Sequence, residues 1–102
     1  MADLVIEGIK YALNDDLTAT VIGLDNSSFT GTVTIPETIK YYGNTYQITQ
    51  IGERAFYEYK FKVVNIGNSV TSIGESAFRG CSGLTSVTIP NSVTSIGQSV
   101  HL

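Results

Sequence analysis

The stretch VTIPNSVTSIG at residues 87–97 decides the fold, because it repeats VNIGNSVTSIG at residues 64–74 and differs from it at two positions only. A second motif joins these copies. IGERAF at residues 51–56 recurs as IGESAF at residues 73–78, a shift of 22 residues, and IGQS at residues 96–99 begins a third copy, shifted by 23. A fixed period of about 20 to 50 residues is typical of stacked structural repeats.

The repeat alternates apolar and polar residues over a short distance. Val64 and Ile66 flank polar Asn65, and the same alternation returns at residues 87–89. This pattern indicates a short strand with one buried face. Because a single repeat cannot bury its apolar residues alone, we expect the repeats to stack and their strands to form a parallel sheet.

The segment between the strands carries a recurring aromatic residue. Phe56 and Phe78 follow the Ile-Gly pair at the same offset, and Leu84 and Phe61 occupy equivalent positions before the strands. We therefore predict a convex turn that places the two phenylalanine rings in the interior. Residues 75–79 are short enough to form a single helical turn at most.

These units resemble a known family. LTSVTIPNSVTSIG at residues 84–97 and IGESAFRGC at residues 73–81 are similar to the BspA-like leucine-rich repeats, in particular the TpLRR subtype. The resemblance covers residues 31–102. It implies a mainly β solenoid with short parallel strands, and with turns or single helical turns on the convex side. It also implies a secreted or surface-attached bacterial protein that functions in adhesion or protein binding and is not an enzyme.

Several positions depart from the repeat pattern. Gly67 stands where Pro36 and Pro90 stand in the other copies, and Tyr59 takes the place of Cys81. Val-His at residues 100–101 replaces the expected Ala-Phe. We therefore expect the last repeat to be incomplete, as in an N-terminal portion with truncated repeats.

The first half of the chain is predicted to be a β cap. We assign residues 1–50 to this cap and residues 51–102 to the repeats. Two antiparallel strands are expected at residues 4–13 and 17–22. The cap also holds a degenerate rung, VTIPETI at residues 33–39, and an inserted hairpin at about residues 39–49 that turns at Gly43-Asn44. We expect this hairpin to cover the N-terminal edge of the solenoid, since open strand edges invite aggregation.

Composition and charge exclude several classes of protein. The net charge is −3, which argues against nucleic acid as a partner. One cysteine rules out an internal disulfide framework and a Cys-only metal site. The first residues have no basic region and no long apolar run, so we expect no membrane insertion in this segment. An extracellular or cell-surface location then requires a signal peptide that has been removed.

Residues with catalytic or metal-binding chemistry are sparse. His101 is the single histidine, near the end of the chain, and Cys81 occupies the repeat's own cysteine position, where a small buried hydrophobe is expected. Residues 14–16 and 25–26 offer carboxylates, either as weak cation ligands or as plain turn residues. We therefore expect no catalytic residue, no metal site and no cofactor.

Two surfaces are candidates for binding. The first is the outward face of the parallel sheet, with small hydrogen-bonding side chains, although such residues are also ordinary solvated strand residues. The second is an aromatic patch, since tyrosines are enriched at interfaces. The sheet-face set is Thr32, Thr34, Asn65, Ser86 and Thr88; the aromatic set is Tyr41, Tyr42, Tyr46 and Tyr57.

Two functions remain open at this point. The first is a binding module whose ligand is a protein or, alternatively, a glycan. The second is a structural spacer or self-assembling fragment without a ligand, which forms a homodimer through an uncapped C-terminal strand edge near residues 87–89.

Overall fold

The structure is a computed structural model that describes residues 3–98. Within these residues the chain forms ten strands and no helix, which confirms the mainly β fold. The strands are β1 (Asp3–Ile6), β2 (Ile9–Leu13), β3 (Thr18–Leu24), β4 (Thr32–Ile35), β5 (Thr38–Tyr41), β6 (Asn44–Ile51), β7 (Val63–Ile66), β8 (Ser72–Ile73), β9 (Ser86–Thr88) and β10 (Ser95–Ile96).

The strands belong to two sheets instead of the single parallel sheet expected from the sequence. The large sheet has the order β1-β2-β3-β6-β8-β10, with β5 also paired to β6, and the small sheet has the order β4-β7-β9. In each repeat the segment that begins Val-x-Ile supplies a parallel strand to the small sheet. The pair before the glycine, which is Gln50-Ile51, Ser72-Ile73 or Ser95-Ile96, supplies one to the large sheet. The inward residues of both sheets form one core.

The cap contains one more strand than we predicted. Residues 4–13 were expected to form a single strand, but the chain turns at Glu7-Gly8, where φ is 49° and 85°. Two successive residues with positive φ are the requirement of a type I′ hairpin turn. β1 and β2 are therefore antiparallel neighbours. The predicted turn at residues 14–16 is present and joins β2 to the antiparallel β3.

The inserted hairpin forms as β5 and β6, but two details of the prediction are wrong. Its turn residues are Tyr42-Gly43, with φ of 47° and 80°, since Tyr41 pairs with Asn44. The hairpin also does not cover the edge of the solenoid, because β6 lies inside the large sheet between β3 and β8. Strands β1 to β3 extend the large sheet beyond β6 instead.

The insertion leaves the rung itself intact. The base of the hairpin is closed by a hydrogen bond of 2.9 Å from the Ile48 N–H to the Glu37 carbonyl. In the next rung the Thr71 N–H donates to the Thr49 carbonyl, just as the Thr94 N–H donates to the Thr71 carbonyl one rung later, so Thr49 and Thr71 are equivalent. Ile48, and not Ile39 as the sequence suggested, therefore takes the place of Val70. Ten residues, 38–47, lie between Glu37 and Ile48, where the regular rung has only Ser69 between Asn68 and Val70.

The convex segments are successive turns. In residues 52–59 every second N–H closes a four-residue β-turn by donating to the carbonyl three residues earlier. The N–H groups between them donate to the next rung, as from Phe56 to the Ala77 carbonyl at 2.9 Å. This pattern satisfies the backbone without a helix. Phe56 and Phe78 are buried as predicted, with ring centroids 5.5 Å apart, and Phe61 packs edge-on against both.

Candidate functional site

The five residues predicted for the sheet face lie on one surface of the small sheet. The strands β4, β7 and β9 align Thr32 with Val63 and Ser86, and Thr34 with Asn65 and Thr88. The residues between them, such as Val33 and Val64, point into the core. The outward face is thus two rows of small side chains without a charged residue.

The side chains of this face are not used by the fold. Several other hydroxyls of the repeats bind the preceding rung, for example Ser92 Oγ to the Val70 carbonyl at 2.7 Å and Thr85 Oγ1 to the Lys62 carbonyl at 3.1 Å. Within residues 3–98, none of the five face side chains forms a hydrogen bond to another protein group. Their hydroxyl and amide groups remain available to a ligand.

The sequence prediction missed a second polar surface, on the large sheet. Thr20, Gln50, Ser72 and Ser95 are aligned across β3, β6, β8 and β10. Two of these groups already interact, since Thr20 Oγ1 donates to Gln50 Oε1 at 3.3 Å. The signal for this surface was the polar residue directly before the Ile-Gly pair of successive repeats, at Gln50, Ser72 and Ser95.

The four tyrosines of the aromatic set do not form one patch. Tyr41 and Tyr42 stack at the tip of the inserted hairpin, with ring centroids 4.5 Å apart, and Tyr42 is 88% exposed. Tyr46 packs against the core beside its cross-strand partner Ile39. Within the described residues, Tyr57 lies on a convex turn under the Arg54 guanidinium, at 5.6 Å, and pairs with none of the hairpin rings.

Cys81 is half-buried and hydrogen-bonded. Its Sγ donates to the Phe56 carbonyl at 2.9 Å. Burial raises the pKa of the Cys81 thiol, although the backbone of Tyr59 favours the thiolate. A raised pKa reduces the thiolate fraction and therefore the reactivity of the group. His101 lies outside the described residues, so its surroundings are not part of this site.

The acidic loops are ordinary turns. Asp16 accepts hydrogen bonds from the Thr18 hydroxyl at 2.6 Å and the Thr18 N–H at 3.2 Å, and the side-chain bond lowers the pKa of the Asp16 carboxyl. Asn26 accepts from the Ser28 N–H in the same type of turn. Across residues 3–98, no three His, Cys, Asp or Glu side chains are grouped so that they could hold a metal ion.

The stacked rungs, with an inward Val-x-Ile strand, a glycine after each Ser-Ile pair and a buried phenylalanine on the convex side, define a leucine-rich repeat solenoid. A family model described as the BspA type leucine-rich repeat region matches residues 14–101 in six copies. The chain belongs to this family. A comparison with curated proteins gave no match.

Solved bacterial structures have a similar fold. A leucine-rich cell surface protein from Faecalibacterium prausnitzii A2-165 is 30% identical with a TM-score of 0.83, over 100% of this chain and 28% of that one. A leucine-rich repeat protein from Bacteroides capillosus is 29% identical with a TM-score of 0.88, over 96% of this chain and 72% of that one. The T. pallidum leucine-rich repeat protein, 22% identical with a TM-score of 0.73 over 93% of this chain and 42% of that one, shares the fold.

The chain is thus much shorter than one of its relatives, since it spans little more than a quarter of the F. prausnitzii protein. Residues 3–98 include no helix with the length and apolar character needed to cross a bilayer.

Proposed function

We propose that this chain is a non-enzymatic binding module of a bacterial cell-surface protein, and that the outward face of the small sheet contacts a protein ligand. The observation that carries the proposal is the pair of aligned rows across β4, β7 and β9. One row runs from Thr32 to Ser86, and the other runs from Thr34 through Asn65 to Thr88. The fold leaves the side-chain hydrogen-bonding groups of these residues unused within residues 3–98. The surface location is supported by the relative from F. prausnitzii, which is described as a cell surface protein.

The chemistry of the face favours a polypeptide over a polyanion. Its residues are short and uncharged, so they supply donors and acceptors but no cation for phosphate or sulfate groups. A glycan is the alternative ligand, since its hydroxyls match the same groups. The tyrosines carry less of the proposal, because only Tyr41 and Tyr42 stack on one another.

The test is a binding screen of the purified chain against extracellular-matrix proteins, followed by substitution of the face. Asn65→Arg together with Thr88→Arg places two long cations in the second row and is expected to weaken binding at least tenfold. Gln50→Arg with Ser72→Arg is the matched control, because these residues are aligned in the same way on the large sheet. Equal binding by the two double variants would reject the small-sheet face.

A second candidate function is self-assembly. Within residues 3–98, β9 and β10 are each paired on one side only. An unpaired strand edge is a template for a second copy of the chain. This alternative predicts a sedimentation coefficient that rises with protein concentration. A single monomeric species at millimolar concentration contradicts it.

A further inference from the structure

The N-terminal edge of the small sheet is open. β4 pairs with β7 on one side, and within residues 3–98 no strand pairs with its other side. Thr32 is aligned with Val63, and the Lys62 N–H donates to the Gly31 carbonyl. The backbone N–H and C=O groups of Gly31, Val33 and Ile35 therefore face β7. Since backbone groups alternate in direction along a strand, the N–H and C=O groups of Thr32 and Thr34 point to the open side.

The open edge borders a crevice between the small sheet and the cap. The crevice has two parts, with volumes of about 210 and 460 Å³. Both parts are lined by Glu7, Ile9 and Thr34, so they adjoin one another beside β4. Apolar residues line both parts, including Phe29, which is 41% exposed, in the first and Ile6, which is partly buried, in the second.

The charge of the crevice is not balanced at its smaller end. Glu7 and Asp25, both exposed, line the part of about 210 Å³, and among the described residues no lysine or arginine lines it. The chain as a whole carries a net charge of −3. A ligand with a cationic side chain is therefore favoured at this end by charge complementarity.

We propose that the crevice beside β4 binds an extended peptide segment of a partner protein, which adds to the small sheet as a fourth strand and places a basic side chain near Glu7 and Asp25. The unpaired backbone groups of Thr32 and Thr34 favour a ligand in the extended conformation, because only an extended chain places its donors and acceptors at the matching spacing. Inward side chains of the peptide meet the apolar residues of the crevice. This site uses the edge of the sheet and stands independently of the sheet-face proposal.

The probe is a fluorescein-labelled hexapeptide of alternating valine and lysine. We expect saturable binding by fluorescence polarisation, and at least tenfold weaker binding by a version with glutamate in place of lysine. A version N-methylated at alternate residues loses the backbone donors and is expected to bind at least tenfold more weakly. Hydrogen exchange of the Thr32 and Thr34 amides, followed by NMR, should slow when the lysine peptide is added.

Variants of the chain test separately whether the backbone N–H, the side chain and the charge contribute to peptide binding. Thr34→Pro removes a backbone N–H that the fold does not use and should weaken binding of the lysine peptide at least tenfold. Thr34→Val keeps this N–H and should leave the affinity for the peptide within twofold of that of the unmodified chain. Glu7→Asn combined with Asp25→Asn should make the affinities for the lysine and glutamate peptides equal. Asparagine is chosen at position 7 because it tolerates the positive φ of that turn. Asn65→Arg with Thr88→Arg tests the sheet face and should not affect the peptide.

Three results would overturn the proposal: no binding of the lysine peptide at millimolar concentration, equal binding of the N-methylated peptide, or equal binding of the lysine and glutamate peptides by the unmodified chain. If Thr34→Pro does not fold by circular dichroism, the N-methylated peptide and the amide exchange decide the question without it.

Discussion

Strands β1 to β3, the first part of the cap, and the repeats, residues 51–98, bring their strands together in different ways. In β1 to β3, neighbouring strands are antiparallel and follow one another through tight turns. In the repeats, neighbouring strands are parallel and come from segments 22 or 23 residues apart, as Ile51, Ile73 and Ile96 do. The cap therefore depends on local turn residues, and the repeats depend on how closely one rung approaches the next.

Glycines show the difference most directly. A Cβ atom added at Gly74 would lie 2.6 Å from the Glu53 nitrogen, and one at Gly97 would lie 2.5 Å from the Glu75 nitrogen. At Gly8, in the cap, it would meet nothing within 4 Å, but φ is 85°. The repeat glycines are required by a neighbouring backbone, whereas the cap glycine is required by its own backbone angle.

The largest expected effect is that of Gly74→Ala. The new methyl group meets backbone atoms of residues 52 and 53, which cannot move without separating the rungs. Because the contact is with backbone atoms, we expect a loss at the upper end of the usual overpacking cost, about 3 kcal/mol of unfolding free energy. Chemical denaturation measures the loss.

Gly52→Ala is the matched control for that substitution. Gly52 holds the same place in the repeat but faces the cap, where the nearest atom, the Val21 carbonyl oxygen, is 3.2 Å from an added Cβ. We expect a loss of about 1 kcal/mol. Equal losses at Gly52 and Gly74 would show that rungs and cap are packed equally closely, contrary to this comparison.

The second prediction concerns Ser69→Ala. Ser69 Oγ lies 2.7 Å from the Ile48 carbonyl and 2.9 Å from the Glu37 carbonyl, so it ties the rung interrupted by the hairpin to the regular rung that follows. Its single O–H is shared between these two carbonyls, of which only the bond to Ile48 is part-buried, and we expect its loss to cost about 2 kcal/mol. Ser92 donates to one carbonyl only, that of Val70, and Ser92→Ala should cost about 1 kcal/mol. A smaller loss of stability for Ser69→Ala than for Ser92→Ala would contradict the role of Ser69 in joining the two rungs.

Repetition made the rung predictable. The stacking, the inward Val64 and Ile66, and the buried Phe56 and Phe78 all follow from comparing one copy with the next, and the structure confirms them. The second strand of each rung was missed because Ser72-Ile73 is only two residues long. Such a segment is too short to show any alternation of its own.

The N-terminal half was harder to predict because β1 to β3 and the inserted hairpin have no second copy. Glu7-Gly8 and Tyr42-Gly43 place non-glycine residues at positive φ, which propensity does not indicate, and the first turn was therefore absorbed into one long strand. The five sheet-face residues were found because strand alternation fixes which side chains point outward. The crevice beside β4 was not foreseen, because it depends on how β1 and β2 approach a strand far away in the sequence.

The third prediction compares Gly80→Ala in the repeats with Gly8→Ala in the cap. Both glycines have similar φ values, 78° and 85°, so both substitutions carry the same backbone strain of about 1 kcal/mol. Only at Gly80 would the added Cβ also meet a neighbour, the Glu58 Cγ atom at 2.7 Å. Thermal and chemical denaturation should therefore show a loss that is larger at Gly80, by about 1 kcal/mol.

Glu58→Gly provides the internal control for Gly80→Ala. Glu58 is the equivalent residue one rung earlier, with φ of 61°, and its replacement by glycine removes both the clashing side chain and the strain at position 58. In this background Gly80→Ala should cost no more than Gly8→Ala does. If the excess persists, the neighbouring rung is not its cause.

The smallest effect at neutral pH is expected for Tyr11→Phe, which probes the cap alone. Burial raises the pKa of Tyr11 to about 12 from 10.0, and the charge of Glu7 adds to the shift. The folded state therefore holds the phenolic proton more tightly than the unfolded state. The stability that follows from this difference is fully present below pH 10 and is lost as the pH rises toward 12.

Unfolding measured between pH 9 and 12 checks this prediction, with tyrosinate absorbance recorded in parallel. Cys81→Ser is included in both proteins, because the raised pKa of that thiol would otherwise add its own pH dependence. The chain with Tyr11 should lose stability more steeply above pH 10 than the Tyr11→Phe variant. Parallel curves of stability against pH would mean that Tyr11 ionises as freely as an exposed tyrosine. In that case β1 and β2 would not cover the core as tightly as the repeats do.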